Sequence, residues 1–168
     1  MTSDPDTTLS LDLPDASATE ALGQAVSALL QPGDTLLLSG PIGAGKSHLA
    51  RSAIRALMAR ADEPPEDIPS PTYTLVQTYP AGEIELWHAD LYRLTDPSEV
   101  LELGLEEGLS EGICFVEWPD RLGSAAPPDA LQIVLQAKGD GRIARLTGPA
   151  DRWSDRLSAL STAVKADE

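Results

Sequence analysis

A single cysteine in 168 residues excludes an internal disulfide and leaves no cysteine pair for a metal site. Cys114 stands within Ile113-Cys114-Phe115-Val116, the setting of a small buried residue rather than a reactive thiol. Basic residues are also scarce. Twelve Lys and Arg against 27 Asp and Glu leave a net charge of −15, and such a surface repels polyanions. No direct DNA binding is expected, and any RNA role should run through a partner; most of the acids simply keep the chain in solution. No run approaches the roughly 18 to 20 apolar residues of a membrane span. The start, Met1-Thr2-Ser3-Asp4-Pro5-Asp6, lacks the basic and apolar regions of a secretory signal. No membrane association and a cytoplasmic location are the expectations.

What is present is a phosphate-binding pattern. Gly40-Pro41-Ile42-Gly43-Ala44-Gly45-Lys46-Ser47 fits Gly-x-x-x-x-Gly-Lys-Ser. Its glycines permit backbone angles that let consecutive N–H groups surround an anion. Lys46 would meet the β and γ phosphates, Ser47 would offer its hydroxyl to magnesium, and the helix it opens points its positive end at the same place. Context separates this from a chance match in a glycine-rich turn. The apolar run Thr35 to Leu38, introduced by Pro32-Gly33-Asp34, reads as a buried strand. From Lys46 onward Leu49, Ala50, Ala53, Ile54, Leu57 and Met58 recur at helical spacing, with Ser52, Arg55 and Arg60 off that stripe. The chain is therefore expected to bind a nucleoside triphosphate.

The rest of the chain reads as one domain, 1–168, with tails at 1–7 and 165–168. Leu9, Leu11 and Leu13 alternate as in a half-buried strand, and Ser17-Ala18-Thr19-Glu20 resembles a capping box for a helix carrying Leu22, Val26, Leu29 and Leu30. Asp62 to Pro71, with four prolines and four acids, is an exposed connection. Thr72–Tyr79 and Glu83–His88 flank Pro80-Ala81-Gly82 as a β-hairpin; Asp96 to Glu99 opens a helix. Leu131–Ala137 and Arg142–Thr147 form a second hairpin, and Trp153, Leu157, Leu160 and Val164 mark a closing helix.

A triphosphate site needs an acid at the end of a neighbouring strand to hold magnesium and the attacking water. Glu117, after four apolar residues, has that position, the alternative being an exposed acid at a strand end. Asp90, just after the first hairpin, fits two roles: orienting water or magnesium-bound water, or capping the next segment. His88, one of two histidines, reads as packed and hydrogen-bonded rather than as a metal ligand. Ser70-Pro71-Thr72-Tyr73 fits a switch that senses the γ phosphate through Thr72, and equally an ordinary turn.

With these segments in order, the chain resembles the bacterial TsaE (YjeE) family, small ATPases of tRNA threonylcarbamoyladenosine biosynthesis. The likeness rests on Gly33-Asp34, Gly43 to Ser47, Ser70 to Val76, His88 to Leu94, Leu103 to Glu107 and Gly112 to Pro119, and spans about Thr19 to Arg145. It implies an α/β three-layer P-loop NTPase fold, with a central mixed sheet of parallel core strands plus antiparallel hairpins and helices on both faces. It further implies ATP and Mg2+ as ligands and partnership with the proteins TsaB and TsaD, tRNA being reached only through that complex. TsaD performs the transfer, and the ATPase regulates or resets it. Residue by residue, the resemblance makes Gly40, Pro41, Ile42, Gly43, Ala44, Gly45, Lys46 and Ser47 the phosphate loop, with Lys46 catalytic as well. Ser47 and Glu117 become the metal pair, Asp90 a second functional acid, Trp118 part of the same motif, and Thr19 a neighbour of the base. Ser47 where threonine is common, Pro41-Ile42 in place of an acidic or amide residue and leucine, and Ala89 in place of a bulkier residue are departures; none removes a required group. Two other classes stay open: a small-molecule kinase, which would want an arginine-bearing lid not evident here, and a nucleotide-dependent binding switch without turnover.

Overall fold

The computed structural model describes residues 6–69, 71, 74–94, 96 and 98–166. Its scaffold is a seven-stranded sheet in the order β1-β7-β6-β2-β5-β4-β3. The strands are β1 (Asp6–Leu13), β2 (Thr35–Ser39), β3 (Val76–Ala81), β4 (Ile84–Asp90), β5 (Ile113–Glu117), β6 (Leu131–Lys138) and β7 (Gly141–Pro149). β2 runs parallel to both β5 and β6, and β4 parallel to β5. The pairs β3–β4, β6–β7 and β1–β7 are antiparallel.

The parallel centre explains its sequence. Leu36 and Leu38 belong to one apolar cluster and Leu37 to the other, on opposite sides of the sheet, so β2 reads as an unbroken apolar run. The first face is covered by α1 (Ala16–Ser27), α2 (Lys46–Arg60) and α5 (Ala150–Ala166). The second carries α4 (Leu105–Glu111) and a 3-10 turn, Pro119–Ala125, with the short α3 (Glu99–Glu102) packed against α4. Among the described residues no helix is long and apolar enough to cross a membrane.

Several local expectations shift. Asp15, not Ser17, caps α1: its Oδ1 accepts from Ala18 N at 2.9 Å, so the helix starts before the expected box. Asp6 and Thr7 pair with Pro149 and Gly148, so the ladder extends into the expected tail. Likewise α5 continues to Ala166. Ser52 is not off the buried stripe of α2; its Oγ donates to Glu20 O at 2.6 Å. The reason is close helix packing, since a Cβ on Gly23 of α1 would lie 2.9 Å from Ser52 Cβ. The first hairpin turns at Gly82-Glu83, leaving Pro80 inside β3, an edge strand where its missing N–H breaks no ladder. Cys114 is fully buried, and desolvation pushes its thiol up to about 12.

At the entry of β2, away from the loop that follows it, Asp34 ties α5 to the sheet. Its carboxylate accepts from Arg152 Nη2, Arg156 Nη1 and Gln31 N, each at 2.6 Å. Arg152 also donates to Asp129 at 2.9 Å.

Candidate functional site

The chain leaves β2 at Ser39, makes the loop 40–45 and enters α2 at Lys46. Gly40, Gly43 and Gly45 all hold positive φ, at 145°, 83° and 105°. Gly40 is constrained further, because a Cβ there would come within 2.5 Å of Leu135 O in β6. Lys46 is 5% exposed and folds back on its own loop. Its Nζ donates to the carbonyl oxygens of Gly40 and Pro41 and lies 4.3 Å from the ring centroid of Trp118. Burial pulls the Lys46 ammonium below its ordinary value, while the carboxylates of Glu117 and Asp90 act the other way.

Parallel pairing brings the acids in. Register aligns Asp90 at the end of β4 with Glu117 at the end of β5. Alternation along β4 and β5 turns Leu86, His88 and Asp90 to one face, with Ile113, Phe115 and Glu117, towards α2. Ser47 Oγ, 70 positions away in sequence, lies 2.9 Å from each carboxylate oxygen of Glu117. His88 Nε2 lies 2.7 Å from Glu117 Oε2, and both residues are buried. Asp90 is 7% exposed; Oδ1 accepts from Tyr92 N at 3.1 Å, so it does cap the next turn. It also borders the cleft. Burial raises its carboxyl above the ordinary value, the Tyr92 N–H opposes this, and Glu117 adds to it.

Lys46, Ser47, Asp90 and Glu117 line a cleft of about 460 Å³ that also meets Arg51 and Tyr92, with His88 behind it. Trp118 sits at φ 59°, ψ 54°, a left-handed conformation that costs an L-residue about 1–2 kcal/mol. Its ring packs on Tyr92 at 4.8 Å between centroids as well as on Lys46. Thr19 does not border this cleft. It is buried beside Gly45 and lines a second depression of about 220 Å³ across the loop, with Asp15, His48, Asp140 and Arg142. Arg142 also braces the loop, donating to Gly43 O at 3.2 Å. The hydroxyls expected at Ser70 and Thr72, and Tyr73 with them, lie outside the described residues.

The donor set fits a small hard cation held jointly with a ligand. Ser47 Oγ and the Glu117 carboxylate are adjacent oxygen donors, and no group of three or more His, Cys, Asp or Glu among the described residues forms a protein-only cage. Sequence reasoning missed Arg51, Arg142 and the partner of His88. Only the last had a signal, the period-two placement of His88 and Asp90 on one strand face.

Residues 13–145 match the family model described as "Threonylcarbamoyl adenosine biosynthesis protein TsaE". The chain is 36% identical over 146 residues to the tRNA threonylcarbamoyladenosine biosynthesis protein TsaE of Bacillus subtilis, covering 85% of this chain and 87% of that one. It is 39% identical over 141 residues to that of a Nostoc species, covering 80% and 83%. Against the Rickettsia conorii protein it is 35% identical over 119 residues, 71% of this chain and 66% of that one. The crystal structure of Bacillus subtilis YdiB superposes with a TM-score of 0.74 at 26% identity, covering 96% of this chain and 99% of the other. The architecture is thus a P-loop NTPase-type α/β fold, as the order of segments implied.

Proposed function

The chain belongs to the TsaE family of tRNA threonylcarbamoyladenosine biosynthesis, and on that premise we propose that it binds and hydrolyses ATP as a subunit working with TsaB and TsaD. The observation that carries this reading is the approach of Ser47 Oγ to both Glu117 oxygens at the N-terminus of α2, directly after a glycine-rich loop. A helix start with a buried lysine favours phosphate; an adjacent hydroxyl and carboxylate favour its magnesium.

In the proposed cycle Lys46 exchanges the carbonyls of Gly40 and Pro41 for phosphate oxygens, so its charge is already at the site. Ser47 and Glu117 hold Mg2+, which when bound would neutralise charge developing between the β and γ phosphates. Asp90, made more basic than usual by burial, orients the attacking water from the neighbouring strand end. Trp118 closes the cleft against Lys46 and Tyr92 and limits bulk water. The depression at Thr19 receives the base, since it continues from the cleft across Gly43 and Gly45. The acidic surface leaves tRNA to the partners.

The test is nucleotide binding and turnover, alone and with TsaB and TsaD. Lys46→Ala should lose nucleotide affinity, whereas Glu117→Ala should keep much of it and lose hydrolysis. Equal and full loss of binding in both variants contradicts these roles. Stimulation by neither partner sinks the assembly. Complex formation that needs ATP yet proceeds unchanged with a non-hydrolysable analogue would point to a binding switch, and a phosphorylated nucleoside or sugar to a kinase.

A further inference from the structure

Among the described residues, His88 is a buried polar side chain that touches the proposed metal pair and whose role the reading above leaves unused. It is 0% exposed, within β4, two residues before Asp90. Its Nε2 lies 2.7 Å from Glu117 Oε2, and its Nδ1 has no hydrogen-bond partner among the described residues. A carboxylate oxygen accepts, so Nε2 donates to Glu117 Oε2 while Nδ1 stands without a partner. Leu86, Ile113 and Phe115 surround the same face, and a leucine there would bury no unsatisfied nitrogen. The histidine is thus a poor choice for packing alone. What it supplies is a fixed donor behind Glu117.

We propose that His88 is a positioning residue that pins Glu117 Oε2 from inside the sheet, holding the carboxylate square to Ser47 Oγ so that the pair meets magnesium with little reorganisation. Three contacts define the arrangement: His88 Nε2 to Oε2, and Ser47 Oγ to Oε1 and Oε2 at 2.9 Å each. Without the imidazole, Glu117 loses its anchor on the buried side and rotates about its own side-chain bonds. Ordered carboxylate geometry then has to be recovered at each metal-binding event. Groups standing behind metal ligands typically contribute about 10–100-fold to metal affinity or activity. The inference rests on the reading of Ser47 and Glu117 as the magnesium pair.

The experiment measures binding of N-methylanthraniloyl-ATP in magnesium chloride and in EDTA, for wild type, His88→Leu and His88→Gln. His88→Leu should melt below wild type, because the buried Glu117 carboxylate loses a donor, yet bind the nucleotide normally in EDTA at temperatures where it is folded. Its magnesium-dependent gain in affinity should fall about 10–100-fold. His88→Gln, whose amide nitrogen reaches roughly where Nε2 lies, should recover most of that gain. In a Glu117→Ala background His88→Leu should change nothing further, because the histidine acts through that carboxylate. A wild-type magnesium response in His88→Leu overturns the inference. So does equal impairment of the Leu and Gln variants, which marks a packing role; should His88→Leu fail to fold, the magnesium response of His88→Gln decides, a near-wild-type gain supporting the inference and a lost gain overturning it. If wild type itself binds equally with and without magnesium, the fault lies in the metal-pair reading instead.

Discussion

Replacing Asp34 by alanine should destabilise the protein without touching its nucleotide chemistry. The carboxylate has no exposed surface and accepts three bonds of 2.6 Å, two from arginines of α5 and one from Gln31 N. Removing it strands two cations that the sheet entry was built to receive. A broken buried ion pair costs about 3–5 kcal/mol when the survivor stays dry. Here Arg152 and Arg156 keep 30% and 18% of their side-chain surface, and Arg152 retains Asp129, so water recovers part of the loss. The lower end, about 3 kcal/mol, is the expectation for Asp34→Ala, equivalent to a melting temperature lower by about 6–12 °C in a chain of this length. Asp34→Asn keeps one acceptor and should lose about half as much. Thermal unfolding followed by circular dichroism reads both. Since Asp34 stands at the entry of β2 and the loop at its exit, nucleotide affinity at temperatures where the variant is folded should match wild type. A melting-temperature change under about 2 °C would refute the argument that this cluster fastens α5. Lost nucleotide binding in a folded variant would refute the separation of the two ends.

Two further outcomes probe the site. Burial holds the Asp90 carboxyl above its ordinary value of 3.8, so between that value and its folded-state pKa the folded protein binds more protons than the unfolded chain, and stability falls as pH rises through that window. In EDTA, Asp90→Asn should therefore melt above wild type at pH 8, with the gap narrowing towards pH 3.8; a pH-independent gap rejects the burial argument. Gly40→Ala forces a Cβ to 2.5 Å from Leu135 O at φ 145° and should lower nucleotide affinity at least about 10-fold by displacing the loop, whereas Gly43→Ala meets nothing within 4 Å and bears only about 1–2 kcal/mol of backbone strain. Equal effects in titration calorimetry would show that contact with β6 does not shape the loop.

Much of the scaffold was readable because it is written in neighbouring residues. The apolar run before Gly40, the helical spacing after Lys46, the alternation of Leu9, Leu11 and Leu13 and the turn at Gly139-Asp140 all correspond to elements of the fold. Glu117 was placed at a strand end by the four apolar residues before it. The errors came where local signals compete. Ser17 and Asp15 are both good caps, and which one serves depends on where Leu13 and Pro14 release the chain from β1. Ser52 looked polar and outward until Gly23 allowed α1 to approach it.

The sequence by itself determined a phosphate loop between strand and helix, an acid at the end of a buried strand, and the ordered segments of one family. Only the tertiary structure decided which acid meets which hydroxyl. Parallel pairing of β4 with β5 set His88, Asp90 and Glu117 on one face, and β2 beside β5 carried Ser47 to Glu117. Asp34 found Arg152 and Arg156, and Gly43 found Arg142, across more than half the chain. The physical reason is that helical and strand periods are carried by residues a few positions apart, whereas a hydrogen bond between distant residues exists only once the sheet has fixed their register.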